Sequence, residues 1–182
     1  PAMVAIAALF LFASGVSAQA QKPAVPFETR AARAAAARDA GKLDEAVALY
    51  RALVKEKPAW DEGHWYLGSL LYEMDRPREA RTAFAALIAR QPEHAGAFGM
   101  KGLCEFQVGL HEEALRDLLH SRSLGIAKTP GVATVVRYHA GILLTKFGEF
   151  EVGYSVLSEF ATDGQESPQI IEAFGLNLLR VP

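Results

Sequence analysis

The sequence predicts an all-α protein built as a solenoid of stacked antiparallel helix hairpins, and three observations predict it. Small residues recur at Ala34, Gly68, Gly102, Gly141 and Gly175, at spacings of 34, 34, 39 and 34 residues. Such a period marks places where two helices must approach closely in a stacked array. A second small column, twelve residues after the first, holds Ala46, Ala80, Ala114 and Gly153, and four residues later stand Tyr50, Phe84, Leu118 and Leu157. One helical turn separates those two columns, so small and large groups share a face and interlock. The third observation is punctuation: Gly41-Lys42, Asp75-Arg76-Pro77, Gly109-Leu110 and Gly148-Glu149 interrupt each unit near its middle. Glycine ends a helix at low cost, and Pro77 suits the first turn of the next one.

Taken in order, the chain begins with a separate compositional block. Residues 2–20 carry no charge, and an apolar run from Val4 to Ala13 precedes Val16-Ser17-Ala18 and Ala18-Gln19-Ala20. The run is too short to span a bilayer comfortably and is followed by small residues, as in a secretory signal peptide. Residues 1–20 are therefore expected to be a signal, clipped at its start because the chain opens on Pro1 and lacks the usual basic segment. An uncleaved membrane anchor and a buried helix are the competing readings. The only cysteine, Cys104, lies inside a predicted helix, which excludes a lipid-modified cleavage point and an internal disulfide. Cys104 is expected to be a small buried hydrophobe.

Residues 21–26 form a linker, and the helical pattern fills 27–182. The columns divide it into repeats 27–60, 61–94, 95–133 and 134–167 and a half repeat 168–182. Lys57-Pro58 and Gln91-Pro92, again 34 residues apart, stop the second helix of the first two units. The third junction, from Leu124 to Gly131, carries the five extra residues of the 39-residue interval. An enlarged loop is expected there.

Trp65-Tyr66-Leu67-Gly68, Tyr72, Ala80, Phe84 and Pro92 together resemble the tetratricopeptide repeat family. The resemblance covers residue 27 to about 182, with repeat 61–94 matching best and Gly153 departing from the pattern in repeat 134–167. It implies a right-handed α-solenoid of about four repeats plus a terminal helix, used as a protein-binding scaffold. It also implies that the first helix of each pair lines a concave groove.

Carried onto this chain, the groove columns select Trp65, Ser69, Tyr72 and Glu73 in the second repeat. They select Leu103, Phe106 and Gln107 in the third, and Tyr138, Ile142 and Lys146 in the fourth. Further groove positions are Arg38 and Asp39 in the first repeat and Gly99 in the third. Aromatic side chains offer large rigid contacts at little entropic cost, which suits an apolar or amphipathic segment of a protein partner. Family members that hold a terminal carboxylate do so with Lys and Asn in these columns; Ala31, Ala35, Trp65 and Ser69 stand here, so chaperone C-termini are not expected ligands.

Other function classes find little support. The net charge of -2 and the absence of a Lys/Arg cluster argue against nucleic acid. None of the five histidines pairs at metal-ligand spacing; His111-Glu112-Glu113 reads as an acidic helix start rather than a metal site. No phosphate loop or nucleophile elbow occurs, so the expectation is a non-enzyme with no cofactor, no metal and no catalytic residue.

The expected function is a non-catalytic adaptor, exported to the periplasm or secreted, that binds a protein or peptide in its groove and keeps no membrane span after signal cleavage. The alternative is an accessory repeat arm of a longer enzyme or receptor whose active domain lies beyond residue 182. Ile170, Ile171, Phe174, Leu176, Leu178 and Leu179 leave the last helix little polar surface, which favours truncation or self-association through it over a terminal cap.

Overall fold

In the computed structural model of the protein, residues 25–126 and 130–162 are described, together with Gly175. The signal-like residues 1–20 and almost all of the half repeat 168–182 lie outside them. Eight helices run through the described residues, with no strand among them: α1 (Phe27–Asp39), α2 (Leu43–Glu56), α3 (Asp61–Glu73), α4 (Pro77–Ile88), α5 (Ala95–Gln107), α6 (His111–Ser123), α7 (Pro130–Lys146) and α8 (Phe150–Thr162). They form four antiparallel hairpins, α1/α2 through α7/α8, each stacked on the next.

Every turn within a hairpin holds one residue in the left-handed region: Gly41 (φ 67°), Asp75 (55°), Gly109 (84°) and Gly148 (86°). Three are glycine, for which this conformation costs nothing; Asp75 is the exception, using one of the few side chains that tolerate it. Acidic residues occupy the first turn of α2, α3, α4 and α6, where they meet the positive end of the helix dipole.

The small comb is a set of sockets. A Cβ at Gly68 would lie 2.8 Å from the Phe84 ring, one at Gly102 2.9 Å from Leu118, and one at Gly141 2.5 Å from Leu157. In each hairpin the large residue of the second helix therefore rests on the backbone of the first, and Phe84, Leu118 and Leu157 are all fully buried. Ala34, Ala46, Ala80 and Ala114 are buried in the matching positions. The core runs unbroken from α1 to α8 along these columns.

First helices touch one another, α3 with α5 and α5 with α7, whereas second helices pack on first helices. The array thus curves with its first helices inside. The curve tightens toward α7, where a Cβ at Gly99 would come within 2.8 Å of Val136 and 3.0 Å of Ser121.

The junction expected to carry an enlarged loop, Leu124 to Gly131, includes residues 127–129, which lie outside the described residues. The connection from α6 to α7 spans residues 124–129, as many as the 89–94 connection before α5. Four of the extra residues instead enter α7, which starts at Pro130 rather than Thr134 and has 17 residues where α1, α3 and α5 have 13. A proline at the first helical position sacrifices no hydrogen bond, and the added turn brings Val132 and Val136 onto α5 at Gly99. Extending a helix over an existing apolar surface buries more than a loop of the same length would.

Candidate functional site

The inner face of α3 presents the predicted positions Trp65, Ser69, Tyr72 and Glu73. Trp65 is half-buried, edge-on to Phe84 at 5.7 Å and stacked on His94 at 5.3 Å. The His94 ring nitrogen Nδ1 accepts from the Ala97 backbone N–H at 3.0 Å and so caps α5. Trp65 consequently ties repeat 61–94 to the start of the next repeat while leaving part of its ring exposed. The Ser69 hydroxyl donates to the Trp65 carbonyl at 2.9 Å, Tyr72 is half-buried with its phenol pKa pushed up by burial, and Glu73 is exposed.

Beside Trp65 lies a cavity of about 210 Å³ lined by Asp61, Glu62, Trp65, Tyr66, Leu87, Gln91 and His94. Asp61 accepts from Arg90 at 2.5 Å and from Gln91 at 2.7 Å, and these bonds hold its carboxyl below the usual range. On the other flank the Arg38 guanidinium lies 3.8 Å from the centre of the Tyr66 ring and donates to the Tyr50 hydroxyl at 3.3 Å. An aromatic series then continues from Tyr66 to Tyr50 (5.7 Å), Trp60 (5.7 Å) and Phe27 (5.2 Å). Sequence reasoning placed Arg38 in the groove but missed this series, because Phe27, Trp60 and Tyr66 come from three different segments that only stacking unites.

The predicted positions of the third and fourth repeats fare differently. Leu103 is only 3% exposed and belongs to the core, so its assignment to the groove is corrected. The close approach of α7 at Gly99 closes the inner surface there. Phe106 is half-buried between His111 (5.6 Å) and His139 (4.6 Å), and burial lowers the His139 pKa. Tyr138 stands edge-on to His139 at 5.3 Å, Ile142 is half-buried, and Gln107 and Lys146 are exposed.

One polar cluster went unnoticed in the sequence. Lys101 donates to Glu105 at 2.6 Å and also to Asp117; Glu105 is 2% exposed and its Oε2 has no hydrogen-bond partner. Burial, with the Asp117 carboxylate beside it, raises the Glu105 pKa against the pull of Lys101. For Lys101 burial opposes the charge, but its bonds to Asp117 and Glu105 outweigh it and raise the pKa. The signal was available: the matching residues one repeat earlier are Leu67, Leu71 and Ala83, so three core columns change from apolar to charged together. Cys104, next to this cluster in α5, is fully buried and its thiol is pushed up to about 12 by burial, consistent with an inert core residue.

Among the described residues no group of three or more His, Cys, Asp and Glu is placed to hold a metal. No helix among them is long and apolar enough to cross a membrane.

Hairpins stacked through a small-residue comb define an all-α helical-repeat solenoid. The family profile for the tetratricopeptide repeat matches residues 31–74 and 67–121, half of the 182 residues, and the chain belongs to that family. MamA of Desulfovibrio magneticus RS-1 shares the fold at 16% identity and a TM-score of 0.66, over 78% of both chains. YrrB, described as a TPR protein with an unusual peptide-binding site, aligns at 16% identity and 0.60, over 82% of this chain and 83% of its own. The TPR2AB domain of yeast Sti1, in complex with pHSP90, aligns at 15% identity and 0.50, over 84% of this chain and 69% of its own. No curated protein matches in sequence.

Proposed function

We propose that this protein is an exported, non-catalytic adaptor that holds an apolar or amphipathic segment of a protein partner against the inner face of its first two repeats. The observation that carries the reading is the contrast along that face. Trp65 and Ser69 on α3 are half-buried, while their counterparts on α5, Gly99 and Leu103, are buried, Gly99 against Val136 of α7; Tyr72 and its counterpart Phe106 are half-buried alike. Partly exposed aromatics anchored by their neighbours are the residues that concentrate binding energy at interfaces. The peptide-binding site of YrrB and the pHSP90 complex of Sti1, as their descriptions give them, support a partner-binding role without naming a ligand.

The groove is tested by Ser69→Arg in the full-length chain, which puts a bulky charge between Trp65 and Tyr72 and removes only a local hydroxyl bond. Partner peptides are expected to bind about tenfold more weakly or worse, with unchanged thermal unfolding. Unchanged affinity would overturn the groove assignment. Export rests on the apolar, uncharged residues 2–20 followed by small residues. Fusing residues 1–30 to a reporter active only outside the cytoplasm, and sequencing the new N-terminus, tests it. Silence of the reporter rules export out.

A further inference from the structure

Eleven arginines lie among the described residues, and nine of them reach a carboxylate: Arg30, Arg33, Arg38, Arg51, Arg76, Arg90, Arg116, Arg122 and Arg137. Arg78 and Arg81 pair with none. Both line one cavity of about 270 Å³, formed by α4 and the α5/α6 turn and completed by Thr82, Val108 and Leu110.

Neither arginine is accounted for by the repeat. The column of Arg78 holds Asp44, Glu112 and Glu151 in the other hairpins, acidic residues that suit a helix start, whereas Arg78 puts a cation in the first turn of α4 where the dipole opposes it. The column of Arg81 holds Val47, Leu115 and Tyr154, side chains with apolar bodies. In this repeat alone, two columns depart from their packing roles, and both departures put an arginine at the same cavity. The nearby carboxylates do not answer them, because Glu105 and Asp117 are engaged by Lys101, and Asp117 also by Arg116.

We infer that the cavity at Arg78 and Arg81, between α4 and the α5/α6 turn, binds an acidic side chain of an amphipathic segment from a protein partner. Two guanidiniums one helical turn apart match a carboxylate, which each can hold by paired N–H donors. The remaining walls choose the source of that carboxylate. Val108 and Leu110 are half-buried apolar groups at the lip, and the Thr82 hydroxyl already donates to the Arg78 carbonyl. A free inorganic anion would gain nothing from the apolar lip, while a Glu or Asp flanked by Leu, Ile or Val uses both halves of the site.

The test uses the full-length chain and a display library of random twelve-residue peptides. Peptides that survive selection and compete with one another are synthesised, and their affinities are measured by fluorescence anisotropy. The inference expects a class that places Glu or Asp beside an aliphatic residue. Its affinity should fall at least about tenfold in Arg78→Gln/Arg81→Gln and in the peptide's own Glu→Gln version, and stay unchanged in Ser69→Arg. A library that yields no peptide dependent on the arginine pair overturns the inference, and so does equal binding of the Gln peptide. Inorganic phosphate supplies the last arm, read from the Arg Nε–H resonances: if it shifts Arg78 and Arg81 as far as the peptide does, the site takes any anion and the protein-segment assignment falls. Because Ser69→Arg reports on the inner face alone, failure here leaves the groove reading intact, and the reverse holds too.

Discussion

The first two hairpins and the last two are built from the same columns, yet they use them differently. In α1 to α4 the core columns are apolar, and the charged groups sit outside as ion pairs, among them Arg30 with Glu56 at 2.7 Å and Arg51 with Glu79 at 2.7 Å. Solvent screens such exposed pairs, so each adds little to stability. In α5 to α8 charge enters the interior as Lys101, Glu105 and Asp117, and the glycines Gly99 and Gly102 let neighbouring helices close in. On the inner side, Trp65 and Ser69 of α3 are half-buried, whereas their counterparts Gly99 and Leu103 in α5 are buried. A repeat therefore specifies where helices go, while the residues that break it specify which surfaces remain available.

The largest expected effect breaks the regular half. Phe84→Ala empties the Gly68 socket and removes the edge contact to Trp65; denaturant unfolding should show a loss of about 4 kcal/mol. Next comes the buried cluster. Lys101→Met leaves two buried carboxylates facing each other without their ammonium and should cost about 3 kcal/mol. Transplanting the chemistry of the preceding repeat, as Lys101→Leu/Glu105→Leu/Asp117→Ala, removes every partner at once. That triple variant should be neutral or up to about 2 kcal/mol more stable. A triple variant as unstable as the single would show that the cluster is a net source of stability, against the contrast drawn between the halves.

The two halves should also answer pH with opposite signs. Asp61 is held down by its hydrogen bonds to Arg90 and Gln91, so its contribution is present above the usual carboxylate range and is lost as pH falls. Glu105 is raised, chiefly by burial. Its folded form prefers the proton, so its contribution is present below its unfolded pKa of about 4.5 and is lost as pH rises through the folded value. Unfolding curves of Glu105→Gln against the parent should therefore diverge in favour of the variant as pH increases above about 5; parallel curves would contradict the assignment. The smallest effect belongs to Asp75→Gly, which relaxes the one non-glycine left-handed turn residue. Relief of strain and the added entropy of the unfolded chain largely cancel, so denaturant unfolding should show a gain of only about a few tenths of a kcal/mol.

Much of this was legible without coordinates. Helix starts at Phe27, Asp61 and Ala95, the turns at Gly41, Asp75, Gly109 and Gly148, and the pairing of Gly68 with Phe84 all follow from spacing, because they depend on contacts within one hairpin or between neighbours at a constant offset. The groove assignment is a reading of columns, and the α3 residues it names, Trp65, Ser69 and Tyr72, are half-buried. It failed at Leu103, because whether an inner position is covered depends on how closely the next hairpin approaches, and that distance was set by four residues that joined α7 instead of a loop.

The sequence by itself thus determined the hairpin register, the core columns and the family, since local periodicity and interlocking sizes leave a stacked helical array few alternatives. Only the tertiary structure decided which inner positions are buried, that Lys101, Glu105 and Asp117 meet, and that Arg78 and Arg81 stand without a carboxylate among the described residues. Each of these rests on distances between side chains of different helices, where a shift of a few ångströms separates a buried contact from a free surface.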